Sequence, residues 1–299
     1  MKYTYLLFAL LIFACSSPDS AGEKESTEET TPKNDSPKTD KQLNITVLLD
    51  LSDRVVIEGT PNQSEKDLAI INTLVTAFKE NNKKRGAFLA KGKFKILFSP
   101  APSNSNVNTL ASNLSVDFSK MDNKQKKDAF DNMESNFSTS LGEIYGQTIA
   151  SQDWSGSDIW RFFKFDAKDF CIDQSTDYRN ILFIVTDGYI YHDNSKEKDG
   201  NRSSYLTGPL LQSAGLRGKD WKSKFESGDY GLIAHAVDYS DLEIVVLEVN
   251  PNATNMGDED LIRAYLNKWF TEMNVSKSLI YNSDLPENTK IRIDNYFNN

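Results

Sequence analysis

From residue 43 onward, continuous apolar runs alternate with stretches in which apolar side chains recur every three or four positions. Residues 44–49 (NITVLL) are rich in β-branched side chains and unbroken by charge, the pattern of a strand covered on both faces. The next stretch, to about residue 82, carries Leu68, Ile71, Leu74, Val75 and Phe78 at helical spacing, with Ser64 placed to cap it and Gly86 just beyond. Residues 93–99 (KFKILFS) predict a second strand, ended by Pro100 and Pro102, and residues 114–118 a short edge strand. Residues 123–150 bear Phe130, Met133, Phe137, Leu141, Ile144 and Ile149, which predicts one or two helices broken near 138–142.

A short helix is expected over 158–165 and a core strand over 180–186 (NILFIVT), followed by a polar loop over 189–204. Another strand follows over 242–249. A helix opened by Asp258 carries Leu261, Ile262, Tyr265, Leu266, Trp269 and Met273. A last strand is expected over 277–281, and Pro286 suits the first turn of a terminal helix. Residues 205–235 hold Gly208, Gly215, Gly218, Gly228 and Gly231; they exceed an ordinary connection and predict a helical insertion beside the ligand face. The alternation implies an α/β fold: a doubly wound, mainly parallel sheet with helices on both faces. Ligands of such sheets bind beyond the carboxyl ends of the strands.

Composition narrows the function. The chain has 299 residues, 43 acidic against 34 basic, a net charge of −9, two Cys and two His. An acidic balance excludes a phosphate-tracking nucleic-acid binder, two histidines leave little for a His-rich zinc site, and two cysteines exclude a disulfide scaffold. Chemistry, if any, runs through carboxylates and hydroxyls. Residues 1–14 (MKYTYLLFALLIFA) hold an apolar run too short to span a bilayer. With Cys15 and two serines after it, the run resembles a bacterial lipobox, which implies a signal peptide, acylation of Cys15 and a membrane anchor. Residues 16–41 contain no aromatic residue and no Leu, Ile, Val or Met, and read as a disordered acidic tether leading to a domain over 42–299. The tether would reach about 28 Å as a coil and about 85 Å at full stretch. Its acidic tract resembles surface-export signals of Bacteroidetes lipoproteins, so a cell-envelope location is expected, on the outer membrane with a periplasmic or surface face.

Three strand ends carry the informative residues: LLDLSDR after the first strand, DWSGSDI before the helix at 158, and IVTDGYI after the core strand. A carboxylate directly after a buried strand is costly unless paired, hydrogen-bonded or metal-bound, and hard cations take oxygen ligands. The three motifs together resemble the von Willebrand factor A-type domain with its metal-ion-dependent adhesion site. Asp50 and Ser52 match its first motif, Gly156-Ser157 its Gly-Thr loop and Asp187-Gly188 its Asp-Gly. The resemblance implies a divalent cation (Mg²⁺, Mn²⁺ or Ca²⁺) on Asp50, Ser52, Ser157 and Asp187, through which a protein partner's acidic side chain is gripped.

Arg54 stands where that family has a second serine. A guanidinium has no lone pair and cannot ligate a metal. Either Arg54 points away, or its charge replaces the cation by pairing with Asp50 or Asp187; Asp53 turning inward could restore a ligand. The expectation is a non-enzymatic binding module, with a metal-free assembly lipoprotein and a carboxylate–metal hydrolase as alternatives. No Gly-x-Ser-x-Gly elbow accompanies His192 or His235. His192 reads as solvated, His235 as a packing residue and Cys171 as a buried inert thiol.

Overall fold

A computed structural model describes residues 41–56, 59–152, 154, 156–251 and 257–298. The signal sequence, Cys15 and nearly all of the tether lie outside the described residues. Residues Asp40–Asn299 form one compact unit. Strands β1 (Gln42–Leu49), β2 (Lys93–Leu97), β3 (Ser115–Asp117), β4 (Tyr178–Val185), β5 (Lys198–Asp199), β6 (Arg202–Ser203), β7 (Gly231–Leu232), β8 (Leu242–Val249) and β9 (Lys277–Asn282) make two sheets. The large one has the order β3-β2-β1-β4-β8-β9; all its neighbours are parallel except β3, which runs antiparallel to β2. It is therefore a mixed sheet dominated by parallel strands. The small one, β5-β6-β7, brackets the insertion.

Side chains of the central strands alternate between two cores, as a pleated ribbon buried on both sides requires. Ile45, Val47, Ile181, Phe183, Val245 and Leu247 face helices α1 (Gln63–Leu89), α3 (Asn123–Ser151) and α9 (Pro286–Asn298). Leu48, Leu182, Ile184, Ile244 and Val246 face α4 (Ile159–Phe165), α5 (Ala167–Cys171) and α8 (Asp258–Glu272). Short helices α2 (Ser105–Ser112), α6 (Gly208–Ser213) and α7 (Trp221–Ser227) complete the layers, the last two inside the insertion.

Several boundaries differ from the sequence expectation. The cap of α1 is Asn62, not Ser64: its carboxamide accepts from the Glu65 amide while Glu65 accepts from the Asn62 amide. The same helix runs past residue 82 to Leu89 and kinks at Gly86, whose φ of 73° only glycine adopts without strain. No break divides residues 123–150. Gly142 and Gly146 sit mid-helix in α3, and the buried stripe Met133, Phe137, Leu141, Ile144 and Thr148 holds it continuous. The 189–204 stretch is not all loop, since β5 and β6 form there.

The outer strands of the large sheet carry features that limit edge pairing. β3 has three residues and is followed by a turn in which Asp117 and Lys120 pair. On β9, the Arg263 guanidinium donates to the Ile280 carbonyl and Arg292 to the Asn282 carbonyl.

Register carries the functional argument. Leu49 lies opposite Val185, Leu48 opposite Leu97 and Val185 opposite Leu247. Continuing each pairing past the strand ends sets Ser99, Asp50, Thr186 and Glu248 side by side, a polar row along one edge of an apolar sheet. Phe183, fully buried between β1 and β8 and packed edge-on against Tyr296 of α9, fixes that register from beneath. Phe183→Ala is expected to cost about 3–5 kcal/mol in denaturant unfolding; a loss under about 1 kcal/mol would mean that α9 does not pack as described.

Candidate functional site

The row begins with Asp50. Its amide donates to the Val185 carbonyl at 3.0 Å, extending the β1–β4 ladder by one residue. Oδ1 accepts from the Ser52 amide at 2.8 Å, a short turn that throws the chain into a 3₁₀ turn over Asp53–Val56. Oδ2 accepts from Thr186 Oγ1 at 2.8 Å, the cross-strand bond that the register requires. Thr186 Oγ1 in turn accepts from the Gly188 amide, and Asp187 Oδ1 from the Tyr189 amide at 2.9 Å. Asp50, Ser52 and Thr186 are buried, and Asp187 is half-buried. Burial first, and the neighbouring Asp50 carboxylate second, push the Asp187 carboxyl up to about 7, against the Tyr189 amide and Arg54.

The Gly156-Ser157 loop reaches the same edge from two sides. Ser157 exchanges backbone bonds with Tyr191 at 2.8 and 2.9 Å, while the Asp158 amide donates to the carbonyl of Ser99, beyond the end of β2. Gly156 has φ +81°, and a Cβ there would stand 2.3 Å from the Tyr191 carbonyl oxygen, so this approach needs glycine. Ser157 Oγ is buried and, among the described residues, has no hydrogen-bond partner. The ends of β1, β2 and β4 thus bring Asp50, Ser52, Ser157 and Asp187 to one rim.

Arg54 neither leaves this rim nor pairs with Asp187. Its Nε donates to the Asp50 main-chain carbonyl at 2.9 Å and lies 3.9 Å from Asp50 Oδ2. Its guanidinium forks onto Asp67 of α1, the closer bond 2.7 Å. Asp67 also accepts from the Tyr145 hydroxyl at 2.6 Å and from Gln63 at 2.9 Å. Gln63 reaches on to Glu248, which accepts from Ser283 Oγ at 2.6 Å. Burial works against the Arg54 charge, but Asp67 and Asp50 outweigh it and hold its pKa above the ordinary value. Burial and Asp67 likewise push the Tyr145 phenol well up. Asp53 is exposed, and its charge adds to the push on the Asp187 carboxyl.

A second polar knot abuts the first. Asp258, fully buried in the first turn of α8, takes both arms of Arg217 at 2.8 and 2.6 Å and the Tyr189 hydroxyl at 3.0 Å. The insertion is thereby clamped to the residue whose amide holds Asp187.

Sequence reading missed Asp67, Tyr145, Glu248 and Asp258. Asp67 occupies the apolar stripe of α1, four residues before Ile71 and seven before Leu74, and Glu248 interrupts an apolar strand. A charge in a buried register was the available signal. His192 is not simply solvated: it is half-buried with Nδ1 3.4 Å from Asp158 Oδ2. His235 packs on Trp160, ring centroids 4.7 Å apart, and burial lowers its pKa. Cys171 is buried, which pushes its thiol up to about 12.

Among the described residues no three His, Cys, Asp or Glu side chains gather to hold a metal. A cation on the rim would have to use hydroxyls beside two carboxylates. By donor type the residues there suit such an oxygen set: Asp50 and Asp187 carry charge, Ser52 and Ser157 carry neutral oxygens, and Ser157 Oγ has no hydrogen-bond partner among the described residues.

No known protein family matches the sequence, and no protein of curated function matches it either. Two crystal structures of the pilus adhesin SpaC from Lactobacillus rhamnosus GG are similar at TM-scores of 0.41 (open conformation) and 0.43, with 9% and 11% identity. Each alignment covers 86% of this chain but only 30% of the adhesin. Likeness at this level says nothing about what the chain does.

Two outcomes follow from the geometry. Arg54→Ala should cost about 3–5 kcal/mol, since Asp67 would keep a buried charge without its partner. The double variant with Asp67→Ala should recover a good part of that loss. A double variant no more stable than the single one would show that Asp67 is not held charged by Arg54. The second outcome concerns pH. The folded Asp187 carboxyl holds its proton to about pH 7, whereas the unfolded one loses it near pH 4. Stability therefore falls as pH rises through that window. Asp187→Asn should match wild type near pH 4 in chelator and exceed it above pH 7, by on the order of 2 kcal/mol after solvent screening. A constant difference across the window would show that Asp187 ionises normally.

Proposed function

We propose that this chain is a non-enzymatic binding module of the bacterial cell envelope, anchored through lipid on Cys15. It takes a divalent cation on Asp50, Ser52, Ser157 and Asp187 and, through that cation, an acidic side chain of a protein partner. The observation carrying this reading is the buried Ser157 hydroxyl, without a hydrogen-bond partner among the described residues, on a rim where carboxylates outnumber cations. Arg54 faces Asp67 as well as Asp50, so its one charge does not balance Asp50, Asp67 and Asp187 together. A hard cation would relieve that excess and satisfy the hydroxyl. Its remaining coordination positions would suit an incoming carboxylate.

The metal-free alternative draws on a specific observation too, the 3.9 Å approach of Arg54 to the Asp50 carboxylate. There the rim would be a polar knot finishing the strand ends, and the binding surface would lie elsewhere. Hydrolysis has less support. In the cluster of His192, Asp158 and Ser195 the carboxylate stands between imidazole and hydroxyl, with Ser195 Oγ donating to Asp158 at 2.6 Å. That order places no base on the nucleophile.

Titration of residues 40–299 with Mg²⁺, Mn²⁺ and Ca²⁺ tests the reading. Calorimetric heat and a raised melting temperature are expected for wild type, amounting to about 2.7 kcal/mol of stabilisation at a hundredfold excess over Kd. Asp187→Ala should abolish both. Silence in wild type and variant alike would sink the cation-bridged grip in favour of the metal-free reading.

A further inference from the structure

The opposite edge of the sheet carries a surface of different character. No acidic residue occurs between Asn81 and Val116, although the chain as a whole is acidic. Six basic residues fall in that interval, from Lys83 to Lys95. The end of α1 concentrates them. Past the kink at Gly86, Phe88 is 80% and Leu89 60% exposed, the two most exposed large apolar side chains described. Lys83 and Lys84 precede them on exposed positions and Lys91 follows. Among the described residues Lys83 approaches Glu80 of the same helix, 3.9 Å away on an exposed surface, a pairing of little strength.

This patch is also where the folded unit starts. Arg85 donates to the Lys41 carbonyl at 2.6 Å, the Gln42 side chain donates to the Leu89 carbonyl at 2.9 Å, and the Lys91 amide donates back to Gln42 at 3.1 Å. Lys41, the first described residue, therefore lies against the end of α1. Because β1 begins at Gln42 and β2 at Lys93, the patch lies at the amino ends of the strands, across the sheet from the rim.

Apolar side chains ringed by lysines are the chemistry of an anionic lipid surface. Phe and Leu enter the headgroup boundary, and each nearby Lys or Arg gains from the negative surface potential. We infer that the end of α1, through Phe88, Leu89, Lys83, Lys84 and Lys91, docks the domain onto an anionic bilayer, so that the rim of Asp50 and Asp187 faces away from it. The inference needs no acyl chain. It complements the reading of Cys15 as an anchor by giving a tethered domain a preferred orientation.

Among the described residues both cores lie within 40–299, one compact unit, and this is the unit to be tested. It is to be sedimented with vesicles of phosphatidylcholine alone and of phosphatidylcholine mixed with phosphatidylglycerol. Binding is expected only to the mixed vesicles, and it should weaken as salt rises. Lys83→Glu/Lys84→Glu should weaken it about tenfold or more, and Phe88→Ser/Leu89→Ser should weaken it at both low and high salt. All four side chains are exposed, so melting temperatures should change little and confirm folding. Neither variant touches the rim, so any response to divalent cations should persist in both, which separates this inference from the proposed function. Binding to neither vesicle, equal binding to both, or binding indifferent to both variants would overturn it.

Discussion

Three carboxylates, Asp50, Asp67 and Asp187, stand near a single buried guanidinium, and this imbalance governs the edge of the sheet where β1 and β4 end. Placing Arg54 between Asp50 and Asp67 ties the end of β1 to the first turns of α1, and Tyr145 brings α3 to the same point. The Asp50–Thr186 bond then locks β1 to β4 one residue beyond their last apolar pair. A buried ion pair adds little stability over a well-packed apolar equivalent, because desolvation offsets attraction, but removing one partner is costly. The arrangement therefore specifies geometry more than it adds stability. Asp187 is the carboxylate left over, and its raised pKa is the electrostatic expression of that surplus.

Most of the architecture could be read from periodicity, and the reasons are visible in the strands. β1, β4 and β8 are buried on both faces, so apolar side chains dominate them, with Glu248 a buried charge that interrupts β8. The helices were harder to delimit. Gly142 and Gly146 suggest a break in α3, but its buried stripe outweighs the propensity of two exposed glycines. Ser64 looks like a cap until Asn62, two residues earlier, closes a reciprocal pair with Glu65. β5 and β6 are two-residue strands whose sequence carries no period at all.

Asp50, Ser52 and Asp187 could be expected near one another because they follow neighbouring strand ends of a doubly wound sheet, and Ser157 because it sits in the loop before α4. The role of Arg54 was not legible. Its partner Asp67 is 13 residues away on another element, and only folding shows that the guanidinium serves two carboxylates. The Arg217–Asp258 clamp is more remote still, joining the insertion to α8 across 41 positions. Side-chain partnerships of this range leave no local pattern; their trace in the sequence is a charge at a position that the apolar period reserves for the core.

The guarded outer strands have a consequence for how a partner can be met. An extended peptide joins a sheet by taking up its unsatisfied backbone groups. Here Arg263 and Arg292 already occupy carbonyls along β9, and β3 is too short to template a neighbour. Main-chain zippering is thus disfavoured along β3 and at those two carbonyls of β9. Side chains and loops at the ends of the strands are the freer medium, where one substitution can alter the surface without disturbing the scaffold beneath it.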